Sequence, residues 1–196
     1  CYVGFTDKAG LFHYKATPGD YKLDVRGNPD SPRPFSALSV AVTLVVDELL
    51  QMPPVQVPET VAPVLIPAAK ADLVLDGGLT LSVDGATFEL QLGYDDKHIA
   101  AKQVPKSQWP PNDLPPGTVA AFAFTPYASI SKTPMAVRID ADLGLSGGST
   151  VQLFVVDEHE GKLVKVADAD VAPDGKSLAS KPGQGLDRLT WLFVAP

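Results

Sequence analysis

The chain has 196 residues, of which 45% are hydrophobic, and its formal net charge is −7. That length suits one large domain or two small ones, and the apolar content is enough to fill a core. No stretch approaches the roughly 18 apolar residues of a membrane-spanning helix, and no window holds the cluster of Lys and Arg that nucleic-acid binding needs, so we expect neither property.

The single cysteine is the first residue, Cys1. One cysteine excludes an internal disulfide and any zinc site built on several cysteines. Two interpretations of Cys1 stay open. In the first, it is simply where a cleavage product or segment begins. In the second, it is the lipidated first residue of a mature bacterial lipoprotein, and Cys1 is then the attachment point to a membrane.

Short apolar segments are separated throughout by 19 prolines and 16 glycines. Both residues interrupt helices and are used at turns in β proteins. Apolar and polar residues alternate with a period of two, which predicts strands over residues 38–46, 87–92, 135–140 and 151–155. A final, strongly apolar strand is predicted over residues 189–194. Only residues 97–103 suggest one or two helical turns. The sequence therefore predicts an all-β fold, with turns at the spacing typical of antiparallel sandwiches.

Two turn motifs and a strand near the start resemble a known family. Residues 6–12 follow the pattern T-D-x-x-G-x-F, with Gly10 at a position that suits a positive φ angle. Residues 18–21 read P-G-D-Y and lead into Leu23 and Val25, which alternate with polar residues. This stretch resembles a carboxypeptidase regulatory-like (transthyretin-like) domain. The resemblance implies an Ig-like or transthyretin-like antiparallel β-sandwich.

The start of that domain differs from the family pattern. Members begin one or two strands earlier with a G-x-V-x-D segment, so residues 1–5 are expected to be an internal strand without its usual neighbour. An unpaired sheet edge is a template for another strand. Three explanations stay open: the chain is a fragment, another part of the fold covers the edge, or a protein partner or second copy adds a strand there.

A Pro-rich segment divides the chain. Residues 53–63 predict a semi-rigid linker, which separates an N-terminal regulatory-like domain over residues 1–52 from a β-sandwich domain over residues 64–196. A second Pro-rich stretch, residues 109–117, is predicted to be a long loop inside the second domain, because the roughly 50 residues before it make a thin domain by themselves.

The C-terminal half resembles a module of large bacterial secreted and surface proteins. The matching features are the L-P-P-G sequence at residues 114–117, the Gly-rich segment 143–148 that leads into a strand, and the tight turn at residues 174–176. Such modules are typically spacers, stalks or binding units. The resemblance implies an extracellular or cell-surface location.

The strongest catalytic motif is a G-x-S-x-G match around Ser146, with Asp157 and His159 following in the order Ser, Asp, His. A nucleophile elbow requires a strand before the serine and a helix after it on a parallel sheet. Here the serine leads into an alternating β pattern. We therefore favour a Gly-rich turn and predict no catalytic residues.

Metal and cofactor motifs are weak. The histidines lack the spacing of metal ligands, and the two Asp-x-Asp pairs lack the further oxygen ligands of a calcium loop; these residues are His13, His98, His159, Asp140, Asp142, Asp168 and Asp170. No glycine loop joins a strand to a helix as phosphate binding requires. We predict no metal and no cofactor.

One aromatic residue is a candidate ligand contact. Trp109 precedes two prolines in the predicted loop, where an exposed indole suits glycan stacking, although packing against proline is the favoured interpretation. Trp191 lies in the apolar final strand and is expected in the core.

The sequence thus predicts a structural or adhesive module that acts through protein partners or self-assembly. The alternative is a carbohydrate- or protein-binding accessory domain of a secreted enzyme or toxin, with no nucleic acid and with a membrane only through lipidated Cys1.

Overall fold

The computed structural model describes residues 3–27, 34–91, 97–110 and 113–196. These residues form fourteen strands and two short 3-10 helices, Asp76–Gly78 and Lys106–Gln108, with no α-helix in the described ranges. The strands are β1 (Gly19–Arg26), β2 (Ala37–Leu44), β3 (Val61–Leu65), β4 (Ala71–Val74), β5 (Leu79–Val83), β6 (Phe88–Glu89), β7 (His98–Gln103), β8 (Ala120–Thr125), β9 (Ser129–Ile139), β10 (Thr150–Asp157), β11 (Lys162–Val171), β12 (Leu178–Ser180), β13 (Leu186–Leu189) and β14 (Trp191–Ala195).

The strands form two antiparallel sheets. Strands β1 and β2 make a two-stranded sheet, here called the hairpin. The other strands make the main sheet, in the order β3-β7-β8-β14-β10-β11-β12-β9-β5-β4, with β6 and β13 also paired to β9. The main sheet curls until it nearly closes on itself. The predicted all-β class is confirmed, whereas the finer division into two sandwich units stays a prediction.

The inside of the main sheet holds the larger core. Alternate residues of β9 point inward and are buried, as the period-two pattern predicts; they are Met135, Val137 and Ile139. The same alternation in β10 buries Val151, Leu153 and Val155. The strands predicted over residues 135–140 and 151–155 are therefore confirmed.

Strand β14 is buried on both faces. Leu192 and Val194 belong to the core inside the main sheet, whereas Trp191 and Phe193 belong to a second cluster on its outer face, here called the outer core. The rings of Trp191 and Phe193 stack with centroids 6.1 Å apart. An unbroken apolar run is typical of a strand covered on both sides. The predicted strand over 189–194 is divided at Thr190 between β13 and β14.

The hairpin covers the outer core. Leu38 and Val40 of β2 are buried there against β8, β10 and β14. Strand β2 overlaps the predicted span 38–46, but it begins one residue earlier, at Ala37, and ends at Leu44. A bridge between Phe35 and Glu59 joins the segment before β2 to the segment before β3.

The expectation of helical turns at residues 97–103 was wrong. His98–Gln103 is strand β7, which pairs with β3 on one side and β8 on the other. Ile99 and Ala101 are fully buried in the core inside the main sheet. Two neighbouring strands and a buried face outweigh the local helix propensity of Ala, Lys and Gln, which amounts to only a few tenths of a kcal/mol per residue.

Other predicted segments differ in detail. Within the predicted strand over residues 87–92, only Phe88–Glu89 forms a strand, β6, and residue 92 lies outside the described residues. Strand β3 begins at Val61, inside the predicted linker, and Met52, Val55 and Val57 are partly buried against the outer core. The domain boundaries themselves stay a prediction. None of the helices in the described ranges is long and apolar enough to cross a membrane.

Candidate functional site

The outer edge of β1 is the candidate functional site. Within the described ranges β1 pairs with β2 alone, in a register that places Leu23 opposite Val40. An edge strand of this kind presents main-chain N–H and C=O groups that have no strand to bind. Of the two hairpin strands, β1 is the one that carries this open edge.

Strand β2 uses its other edge to attach the hairpin to the main sheet. The amide of Ser39 donates to the hydroxyl of Tyr127 at 3.1 Å, and the amide of Ala41 donates to the carbonyl oxygen of Gly161 at 3.2 Å. The carbonyl oxygen of Ala37 accepts a hydrogen bond from Trp191 Nε1 at 2.9 Å. All three contacts come from odd-numbered residues of β2.

This alternation fixes which residues of β1 face the open edge. In an antiparallel pair, opposite residues direct their main-chain groups either toward each other or both away. Ser39 is opposite Asp24 and directs its amide away from β1. The even-numbered residues of β1 therefore direct their N–H and C=O groups to the open edge; they are Asp20, Lys22, Asp24 and Arg26.

Side chains on one face of β1 hold the strand in place. Lys22 Nζ lies 3.0 Å from a carboxylate oxygen of Asp24 and donates to the carbonyl oxygen of Glu158 at 2.7 Å. Asp24 also accepts a 2.7 Å hydrogen bond from Ser39 Oγ. The other face of β1 carries Tyr21, Leu23 and Val25, all half-buried. The open edge is therefore a fixed surface with one charged face and one apolar face.

Tyr127 lies at the buried end of this polar network. Its hydroxyl accepts from the amide of Ser39 and donates to Ser39 Oγ at 3.0 Å. Burial raises the pKa of Tyr127 to about 12, against the opposing effect of the Ser39 hydrogen bonds. The hydroxyl is therefore protonated throughout the neutral range, and it satisfies two groups of Ser39 that the hairpin buries.

Exposed apolar side chains occur in the two segments that flank the hairpin in sequence. Gly19 pairs with Leu44, so residues 3–18 and 45–50 leave the hairpin from the same end. Val3, Phe5 and Leu49 are 84%, 86% and 88% exposed. Each of these three side chains leaves apolar surface in contact with water.

The strand expected over residues 1–5 is absent from residues 3–5, which are exposed coil. Among the described residues no strand pairs with them to supply main-chain hydrogen bonds, and a lone strand is not stable. The open edge is at β1 instead. The sequence signal for it is the alternation of charged and apolar residues over Asp20 to Arg26. Cys1, the predicted attachment residue, lies outside the described residues.

Trp109, the predicted ligand contact, is half-buried. Its indole Nε1 donates to the carbonyl oxygen of Val104 at 2.9 Å, and Lys106 Nζ lies 5.7 Å from the centre of the ring. The side chain packs partly against the outer core and borders an open depression of about 500 Å³, which Thr118 and Leu143 also line. The contact with Val104 pins the loop, and a role in ligand contact stays a prediction.

The serine-hydrolase motif is not assembled. Ser146 is exposed in the turn before β10, whereas Asp157 and His159 lie at and beyond the far end of that strand. A strand rises about 3.3 Å per residue, so the eight residues of β10 hold Ser146 roughly 20 Å or more from the other two. Hydrogen bonding between nucleophile and base requires about 3 Å.

The carboxylate pairs take part in local contacts. Arg138 Nη2 lies 2.9 Å from Asp140 Oδ1. Asp170 Oδ1 accepts a hydrogen bond from Thr150 Oγ1 at 2.9 Å. In the part of the chain that the structure describes, no three His, Cys, Asp or Glu residues come together in a group that could hold a metal ion.

Comparison of the chain with protein-family models, with curated proteins and with solved structures finds no match. What this protein does is therefore inferred from its own residues and their geometry.

Proposed function

We propose that the protein is a non-catalytic structural or adhesive module of an extracellular or surface protein, and that it acts through protein–protein assembly at the open edge of β1. The observation that carries this is the run of four outward-directed residues from Asp20 to Arg26, whose strand has no second partner among the described residues. Such an edge recruits an additional strand through main-chain hydrogen bonds.

Two further features support assembly. The edge is held rigid by the contacts of Lys22 and Asp24 and by the anchoring of β2, so little conformational entropy is lost when a partner binds. The exposed Val3, Phe5 and Leu49 add apolar surface in the segments that flank the hairpin in sequence. Removing such surface from water contributes about 25 cal/mol per Å².

The proposal includes the domain assignment and the location. Residues 1–52 are a carboxypeptidase regulatory-like unit joined by a linker over 53–63 to a β-sandwich unit over 64–196. The turn closed by Asp7 supports the first unit, because its carboxylate accepts the amides of Ala9 and Leu11 at 2.8 and 2.9 Å, and Gly10 has φ of 78°. Resemblance to modules of bacterial surface proteins supports an extracellular location.

The test measures molecular mass by light scattering across concentrations up to about 1 mM, for the wild type and a Lys22→Pro variant. Proline removes an amide that faces the open edge and is tolerated where the N–H points away from the neighbouring strand. We expect concentration-dependent assembly of the wild type and little assembly of the variant. Lys22→Ala is the matched control, because it loses the same side chain but keeps the edge amide.

Two results contradict the proposal: a wild type that is monomeric at every concentration, and assembly that Lys22→Pro leaves unchanged. Circular dichroism of the variant checks that the sheets are retained.

The second candidate function is a carbohydrate- or protein-binding accessory domain. The observation that favours it is the depression of about 500 Å³ beside Trp109 and Lys106. A stable monomer whose tryptophan fluorescence changes on titration with cellohexaose, and whose Trp109→Ala variant loses that change, supports this function over assembly.

A further inference from the structure

We infer that the strand added at the open edge is β1 of a second copy, antiparallel and centred on Leu23. This inference rests on the proposed function and names the partner. In the paired strands, each residue of one copy faces the residue equally far on the other side of Leu23. The result is a two-fold symmetric interface, which closes on itself as a dimer.

The charges of β1 are self-complementary in this register. Asp20 faces Arg26 of the second copy, and Lys22 faces Asp24 of the second copy. By symmetry the same pairs recur on the other side of the axis, which gives four cross-strand pairs of opposite charge. The apolar residues match as well, because Tyr21 faces Val25 and Leu23 faces itself. Cross-strand pairs of this kind stabilise antiparallel sheets.

The main-chain groups fit the same register. The residues that face the open edge are even-numbered, and this register places each of them opposite another even-numbered residue. Both members of such a pair direct N–H and C=O toward each other, as a hydrogen-bonded antiparallel pair requires. The two hairpins then form a four-stranded sheet in the order β2-β1-β1-β2. Tyr21, Leu23 and Val25 of both copies lie on one face of that sheet.

Neighbouring registers do not fit. A slip of two residues in one direction places Lys22 opposite Lys22 and Asp20 opposite Asp24. A slip in the other direction places Asp24 opposite Asp24 and Lys22 opposite Arg26. Like charges directly opposite each other are destabilising. A slip of one residue places outward-directed residues opposite inward-directed ones and breaks the hydrogen-bond pattern.

The test reverses the outer charge pair. Asp20 and Arg26 are both exposed, and neither contributes to the network of Lys22, Asp24 and Ser39 described above. Asp20→Arg places Arg opposite Arg26 of the second copy, and Arg26→Asp places Asp opposite Asp20. Sedimentation velocity of each variant alone is expected to show a dimer dissociation constant raised by roughly tenfold or more, since each change affects two symmetric pairs.

An equimolar mixture of the two variants restores opposite charges at both positions, so dimers are expected to return to near the wild-type level. The double variant Asp20→Arg, Arg26→Asp restores them within one chain and is expected to dimerise like the wild type. Lys176→Asp, a charge reversal in the exposed turn between β11 and β12, is the control and is expected to leave dimerisation unchanged.

Failure of this inference is distinguishable from failure of the proposed function. Assembly that Lys22→Pro abolishes, but that neither charge variant weakens and the mixture does not change, overturns self-pairing and leaves assembly standing. A wild type that remains monomeric overturns both.

Discussion

The indole nitrogen of Trp191 and the carbonyl oxygen of Ala37 lie 2.9 Å apart, in a buried hydrogen bond that joins the main sheet to the hairpin. Trp191 is the first residue of β14 and Ala37 is the first residue of β2. The carbonyl of Ala37 points away from β1. The contact that anchors the hairpin therefore uses the free edge of β2 and leaves β1 with the open edge.

Replacing Trp191 by Phe is expected to lower the free energy of unfolding by about 2 kcal/mol or more. The change leaves the buried carbonyl of Ala37 without its donor and opens a cavity in the outer core. Urea unfolding followed by circular dichroism measures the loss.

Trp109→Phe is the matched control. Its indole also donates to a main-chain carbonyl, that of Val104, but the site is only half-buried. The unfolding free energy is expected to fall by less than in Trp191→Phe. Equal losses in the two variants contradict the anchoring role of Trp191.

Removing the Tyr127 hydroxyl is expected to lower the free energy of unfolding at neutral pH by about 1 to 3 kcal/mol, the range for leaving a buried donor unsatisfied. In Tyr127→Phe the amide of Ser39 loses its acceptor while the ring keeps its packing. Chemical denaturation at pH 7 gives the loss. A variant as stable as the wild type means that the network does not hold the hairpin.

The same hydroxyl makes stability depend on alkaline pH. The pKa of Tyr127 is about 12 in the folded protein and about 10 in an unfolded chain. Between these values the folded state holds a proton that the unfolded state has released, so stability is full below pH 10 and falls as pH rises toward 12. The fall attributable to this residue is about 2 kcal/mol, measured as the difference between wild type and Tyr127→Phe across that window. A constant difference contradicts it.

Local patterns predicted much of the fold. The alternation around Val137 and Leu153 identified β9 and β10, because the alternation of apolar and polar residues within a strand is a local sequence pattern. The apolar run that contains Trp191 correctly indicated a buried strand. The sequence failed at β7, where Ala100 and Ala101 are good helix formers but lie between two strands that are distant in sequence.

The candidate site was only half visible in the sequence. The charges at Asp20, Lys22, Asp24 and Arg26 can be read from the strand pattern. Which edge of β1 they face depends on the contacts of Ser39 with Tyr127 and of Ala37 with Trp191, across 88 and 154 positions. Contacts at such separation leave no local trace, so the open edge was expected at residues 1–5 instead.

Gly161→Ala is expected to weaken the contact between the hairpin and the main sheet and to lower the free energy of unfolding by about 2 kcal/mol or more. Gly161 has φ of 68°, and a Cβ there lies 2.5 Å from the amide nitrogen of Ala41 and 2.5 Å from the carbonyl carbon of Val40. Gly148→Ala is the matched control, because φ is 76° but nothing lies within 4 Å of the added Cβ.

In Gly148→Ala only the strain of a positive φ angle at alanine is expected to lower the free energy of unfolding, by roughly 1 to 2 kcal/mol. In Gly161→Ala the free energy of unfolding is expected to fall by more than that. Thermal unfolding of both variants compares them. A Gly161→Ala variant no less stable than Gly148→Ala shows that β2 can withdraw from the turn without cost.

Asp157 is expected to make stability depend on acidic pH. Burial opposes ionisation of this carboxyl, but the amides of His159 and Glu160, at 2.8 and 3.1 Å, together with Arg188 outweigh it and hold its pKa below the usual range. The folded state therefore releases the proton more readily than the unfolded state. The stabilisation is present above the unfolded pKa of about 3.9 and is lost as pH falls through the lower folded pKa.

In Asp157→Asn this contribution is missing at neutral pH, so the unfolding free energy of the variant is expected to fall less steeply than that of the wild type on acidification. Denaturation series across the acidic range test this, and parallel curves for the two proteins contradict it.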